Sequence, residues 1–80
     1  YKKAVDNVGR IYMQLLKFDK AIKWLKINAE AGDIQANYLL AEVYVQKDDF
    51  KDAKINAKIA IDNGILEARN LWNDYNLSKY

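Results

Sequence analysis

The side chains of this sequence that could do chemistry are carboxylates and amines: 11 Asp and Glu against 13 Lys and Arg, with neither histidine nor cysteine. The commonest acid–base residue and the thiolate nucleophile are therefore both missing. Asp48 and Asp49 are adjacent carboxylates. Neighbouring residues on a helix point in different directions, so this pair suits a helix start better than a paired acid and base. The run Asp48-Asp49-Phe50-Lys51-Asp52 lacks the ligand spacing and glycine of a calcium loop. A zinc site would need carboxylates alone, which is unusual. Gly9, Gly32 and Gly64 are isolated and form no phosphate-cradling loop. The expectation is a chain that catalyses nothing and holds no metal or cofactor.

The amines form a stripe, Lys20, Lys23 and Lys26, then Lys51, Lys54 and Lys58. Such a stripe could meet nucleic acid or acidic lipid. It is interspersed with Asp19, Glu30, Asp52 and Asp62, however, and lysines on an outward helix face are ordinarily solvated. The net charge of +2 is too small to imply a polyanionic partner. No apolar run approaches the ~20 residues of a membrane span. Neither nucleic acid nor membrane is expected as a partner. The absence of cysteine leaves the redox compartment open, and the start at Tyr1 reads as a piece of a longer chain.

The elements that position these groups follow from composition and self-similarity. Proline is absent and alanine occurs ten times, a helical composition. Shifted by 32 residues, the sequence falls on itself: Ala4, Ala36 and Ala68; Val8, Leu40 and Trp72; Gly9 and Ala41; Tyr12 and Tyr44; Phe18 and Phe50; Ala21 and Ala53; Gly32 and Gly64. Apolar residues at three- and four-residue spacing predict helix one over about 2–15 and helix two over 20–31. Helix three is expected over 34–46, helix four from Asp48 or Asp49 to near Asn63, and helix five over 66–77. Asp19 and Asp33 are N-cap candidates, and Gly32 and Gly64 suit the left-handed position after a helix. The whole of 1–80 is then one domain, with units of about 2–32 and 34–64 and a half unit at 66–78. Gly9, Ala21, Ala41, Ala53, Ala57 and Ala60 stand where the large neighbours Tyr12, Tyr44, Phe18 and Phe50 need room.

Gly9/Tyr12 and Ala41/Tyr44, with Phe18/Phe50 and Ala21/Ala53, resemble the tetratricopeptide repeat. The run Lys20-Ala21-Ile22-Lys23-Trp24-Leu25, then Ala29-Glu30-Ala31-Gly32-Asp33, Ala36, Leu40, Ala41 and Tyr44, is closer still to the related Sel-like repeat, K-A-x-x-W-Y-x-x-A-A-E-x-G-D-x-x-A-x-x-x-L-G-x-x-Y. The resemblance covers essentially the whole chain. It departs at Asn56, which replaces Trp24 in the second unit, and at Asn73 and Asn76 in the third. It implies an all-α fold, a right-handed α-solenoid of antiparallel helix pairs with about five helices in two and a half repeats.

In such solenoids the first helix of each unit lines a concave surface that takes an extended peptide or a partner's helix. The resemblance assigns to it Lys3, Asp6, Arg10 and Met13 in helix one, Gln35, Tyr38, Glu42 and Val45 in helix three, and Glu67, Asn70, Asp74 and Leu77 in helix five. Tyr38 would be an aromatic anchor, since tyrosine offers large contact area at low rotamer cost. The Lys, Asn and Arg set of chaperone-tail receptors is not matched, because Asp6, Tyr38, Asn70, Arg10, Glu42 and Asp74 stand there. Two functions remain open: a non-catalytic module that binds another protein or peptide, and a structural segment that self-associates through apolar surface on helix five around Leu66, Leu71 and Trp72.

Overall fold

The computed structural model describes residue 15 and residues 17–80. Four α-helices follow one another: α1 (Phe18–Glu30), α2 (Ile34–Gln46), α3 (Phe50–Asp62) and α4 (Leu66–Asp74). A short 3-10 turn, Leu77–Lys79, follows. The described residues contain no strand. The helix expected over 2–15, with Gly9 and Tyr12, lies outside the described residues.

Each helix begins sixteen residues after the one before it, so the 32-residue period of the sequence is two helices and two joints. Every joint is the same device. At 31–33 Gly32 N–H donates to the Ala29 carbonyl at 3.0 Å and Asp33 N–H to Asn28 at 3.1 Å. At 47–49 Asp48 donates to Val45 at 3.0 Å and Asp49 to Tyr44 at 2.8 Å, and at 63–65 Gly64 donates to Ile61 and Ile65 to Ala60, both at 3.0 Å. Two orphan carbonyls are thereby satisfied and the chain reverses within three residues, provided that the middle residue is left-handed. Gly32 (φ 98°), Asp48 (φ 61°) and Gly64 (φ 91°) supply that conformation. In the first two joints the third residue also caps the next helix through its side chain, whereas Ile65 in the last one does not. Asp33 accepts from Gln35 N–H at 3.1 Å and Asp49 from Asp52 N–H at 3.3 Å.

Asp19 is not an N-cap. The helix starts at Phe18, and Lys17 holds the cap position with no side-chain hydrogen bond, where Asp49 stands one repeat later. The Asp19 carboxylate instead accepts from Lys47 Nζ at 2.7 Å across the surface. It remains in the first turn of α1, where the helix dipole favours an anion.

The central helix α2 packs against α1, α3 and α4. Three neighbours bury a wide arc of it: Ala36, Asn37, Leu40, Ala41, Val43, Tyr44 and Val45. By contrast α1 and α3 each bury a narrow ridge at i, i+4 and i+7, Ala21, Leu25 and Asn28 in one and Ala53, Ala57 and Ala60 in the other. The alanines carry no exposed surface, so the helices approach closely, and Leu25, also fully buried, contributes roughly 1.5–3 kcal/mol. An amide pair crosses from α2 to α3: Asn37 Nδ2 donates to Asn56 Oδ1 at 3.3 Å, and Asn56 Nδ2 donates to the Asp52 carbonyl at 3.0 Å. That pairing accounts for asparagine where the first unit has Trp24.

The last helix is shorter than its periodicity predicts. It stops at Asp74 rather than 77, because Asn76 takes the left-handed conformation at φ 52° that asparagine tolerates. The turn that follows carries Leu77 into the core with no exposed surface, and Tyr75 and Tyr80 stack on Phe50 at 6.3 and 5.0 Å between ring centroids. Burying Leu77 and stacking two rings favours this turn over another helical turn. Of the residues expected to be bare on this helix, Leu66 is exposed, whereas Leu71 and Trp72 pack against the core.

Candidate interaction face

Among the candidate residues on α2, Tyr38 and Glu42 are one turn apart on the same helix, and the Tyr38 hydroxyl donates to Glu42 Oε1 at 2.7 Å. Both are half-buried. The Tyr38 hydroxyl is pushed up from 10.0 to about 12, first by burial, then by its hydrogen bond to Glu42, and then by the negative charges of Glu42 and of Glu67 on α4. All of these disfavour the phenolate. Glu67 comes from another helix, so two candidates far apart in sequence share one electrostatic neighbourhood. The contact of α2 with α4 brings them together.

Gln35 is half-buried at the first turn of α2, where its backbone amide serves the Asp33 cap. Glu67, Asn70 and Asp74 are exposed along α4. The described part of the face is thus acidic, with one aromatic ring at its centre. Such a surface can hold a ligand by apolar contact with the ring and charge attraction at its edge.

Val45 does not belong to it. It is 6% exposed and part of the core, and Leu77, one repeat further on, is fully buried. That column of the repeat is core because α2 is covered on three sides. Lys3, Asp6, Arg10 and Met13 lie outside the described residues.

Two features escaped the sequence. The Asn37–Asn56 pair had one signal, the replacement of a repeat-position tryptophan by asparagine. The second is electrostatic contact between α1 and α3. The Asp52 carboxyl is pushed up because its protonated form donates a hydrogen bond to the Asp49 carboxylate, and further by burial and by the Asp49 charge, while Lys26 of α1 pulls it back down. Among the described residues no group of three or more Asp or Glu side chains could hold a metal ion, and no helix is long and apolar enough to cross a membrane. Comparison with known proteins returned nothing similar: no family model, no curated protein and no solved structure matches this chain.

Proposed function

We propose that this chain is a non-catalytic protein-interaction module, a segment of a tetratricopeptide- or Sel-like α-solenoid whose first-helix face receives a peptide or helix of another protein. The observation that carries this reading is the joining of Tyr38 and Glu42 on α2 with Glu67 on α4 into one half-exposed face. Alternate helices that lie side by side, with the same joint repeated at a fixed interval, are what a curved stack of helix pairs requires. The acidic edge favours a basic ligand with an apolar or aromatic side chain to meet the ring.

The test is partner capture by the immobilised chain, compared with Tyr38→Ala and Glu42→Lys. Both variants are expected to lose the proteins that the parent retains while keeping a helical circular dichroism spectrum and a cooperative melt, lowered only by the loss of the Tyr38–Glu42 hydrogen bond. Undiminished capture, or a collapse of melting in both variants, overturns the proposal.

A second reading rests on Leu66, 74% exposed at the first turn of α4. In it the chain is a structural segment that associates with itself through this helix. Light-scattering mass that rises with concentration and returns to that of one chain in Leu66→Ser supports it.

A further inference from the structure

Among the eight asparagines of the sequence, Asn63 alone is followed by glycine. That dipeptide occupies the joint between α3 and α4, and both of its residues are exposed. The other two joints place Ala31 and Lys47 before their left-handed residue, so this joint alone carries a side-chain amide there. An asparagine amide is an electrophile, and the backbone nitrogen of the next residue can reach its Cγ to close a five-membered ring. A side chain on that next residue crowds the attack, and glycine has none.

The joint as folded holds the reacting atoms apart. Asn63 has ψ 14°, which nearly eclipses the Gly64 nitrogen with the Asn63 nitrogen and turns it away from Cβ. The Gly64 N–H donates to the Ile61 carbonyl at 3.0 Å. Asn63 Nδ2 donates to the Ile59 carbonyl at 2.8 Å, which lays the amide back along α3. Ring closure therefore requires the joint to open: both hydrogen bonds must break and ψ must rotate. Short exposed connections open locally at a small fraction of the cost of global unfolding.

We propose that Asn63-Gly64 is a spontaneous modification site, at which opening of the α3/α4 joint admits conversion of Asn63 to isoaspartate, and that the product loosens α4. The site is independent of the Tyr38 face. The Gly64 nitrogen gives its proton to solvent base and bonds to Cγ, the Cγ–Nδ2 bond breaks, and Nδ2 leaves as ammonia. Water then opens the succinimide. Its attack at Cγ yields aspartate. Its attack at the backbone carbonyl leaves Gly64 joined through Cγ, so that a methylene enters the main chain. Nothing is oxidised or reduced. Either product puts a carboxylate beside Asp62 at the C-terminal end of α3, where the helix dipole disfavours an anion, and removes the donor to Ile59. Isoaspartate also displaces Gly64 and Ile65 from the carbonyls of Ile61 and Ala60 that they serve. Those bonds set the path of the chain into α4.

The test incubates the 80-residue chain in mildly alkaline buffer at physiological temperature beside a synthetic pentapeptide of the sequence Ile61–Ile65. Mass spectrometry of the fragment containing Asn63 reads the exchange of amide for carboxyl, and its fragmentation separates isoaspartate from aspartate. Conversion is expected at Asn63 before any other asparagine, about tenfold or more slower than in the pentapeptide. It should accelerate in urea below the unfolding transition, in step with hydrogen exchange at the Gly64 and Ile65 amides. The isolated isoaspartate form is expected to exchange the Leu71 and Trp72 amides about tenfold or more faster than the parent, while Leu25 and Val43 keep their protection. Asn63→Asp, which has the charge without the added methylene, should change them less, and Asn63→Gln should stay unmodified over the same period. An intact Asn63 in sub-denaturing urea after the pentapeptide has fully reacted overturns the proposal. So do conversion at the pentapeptide's rate, faster conversion at another asparagine, or an isoaspartate form whose α4 exchanges as in the parent.

Discussion

Tyr38 and Glu42 are joined by a 2.7 Å hydrogen bond along one face of α2, with the phenol as donor and Glu67 of the neighbouring α4 adding its charge. The bond exists only while the phenol keeps its proton.

That dependence sets the alkaline stability. The folded-state value of Tyr38 is raised to about 12 against an ordinary 10.0, so the unfolded chain releases the proton first. The stabilisation is complete below pH 10 and is lost as pH rises through about 12. Denaturant unfolding at stepped pH is expected to show a steeper decline over that window in the parent than in Tyr38→Phe. Identical slopes would place the phenol in ordinary solvent.

The three joints predict effects of opposite sign. Gly32→Ala and Gly64→Ala put a Cβ on a left-handed backbone, and each is expected to cost about 1–2 kcal/mol although no atom lies within 4 Å of the added carbon. Asp48 holds the same conformation with a side chain already present, and Asp48→Gly should stabilise by about 0.5–1 kcal/mol. Thermal melts of the three variants check this, and a destabilised Asp48→Gly would refute the common geometry.

Asn28 is 5% exposed and its Nδ2 has no hydrogen-bond partner. An unpaired buried donor costs about 1–3 kcal/mol. The second unit places Ala60, fully buried, at the same repeat position. Asn28→Ala is therefore expected to raise the denaturation midpoint without changing its slope. A lowered midpoint would mean that packing by the amide outweighs its desolvation.

Much of the fold was legible because it is encoded within a few residues. The bounds of α2, the capping by Asp33 and by one of Asp48 and Asp49, and the left-handed glycines at 32 and 64 depend on turn chemistry, which involves neighbours along the chain. Asp19 was misplaced because its partner, Lys47, is 28 residues away and no spacing rule reveals it. The early end of α4 was hidden for a similar reason. Asn76 is a weak stop signal by itself, and the stop is stabilised by Leu77 reaching the core and by rings stacking on Phe50, contacts made by folding back.

The candidate face divides along the same line. From the sequence alone come the helical period, the small residues that let helices approach, and the placing of Tyr38 beside Glu42, since residues four apart on a helix are always neighbours. Only the tertiary structure decided that Glu67 joins them, that Val45 is buried, and that Arg69 stays wet where Asn37 is covered. Each of those outcomes depends on how many helices press on a given side. Contacts between elements are set by packing across the fold, whereas caps and turns are set by the few residues that form them.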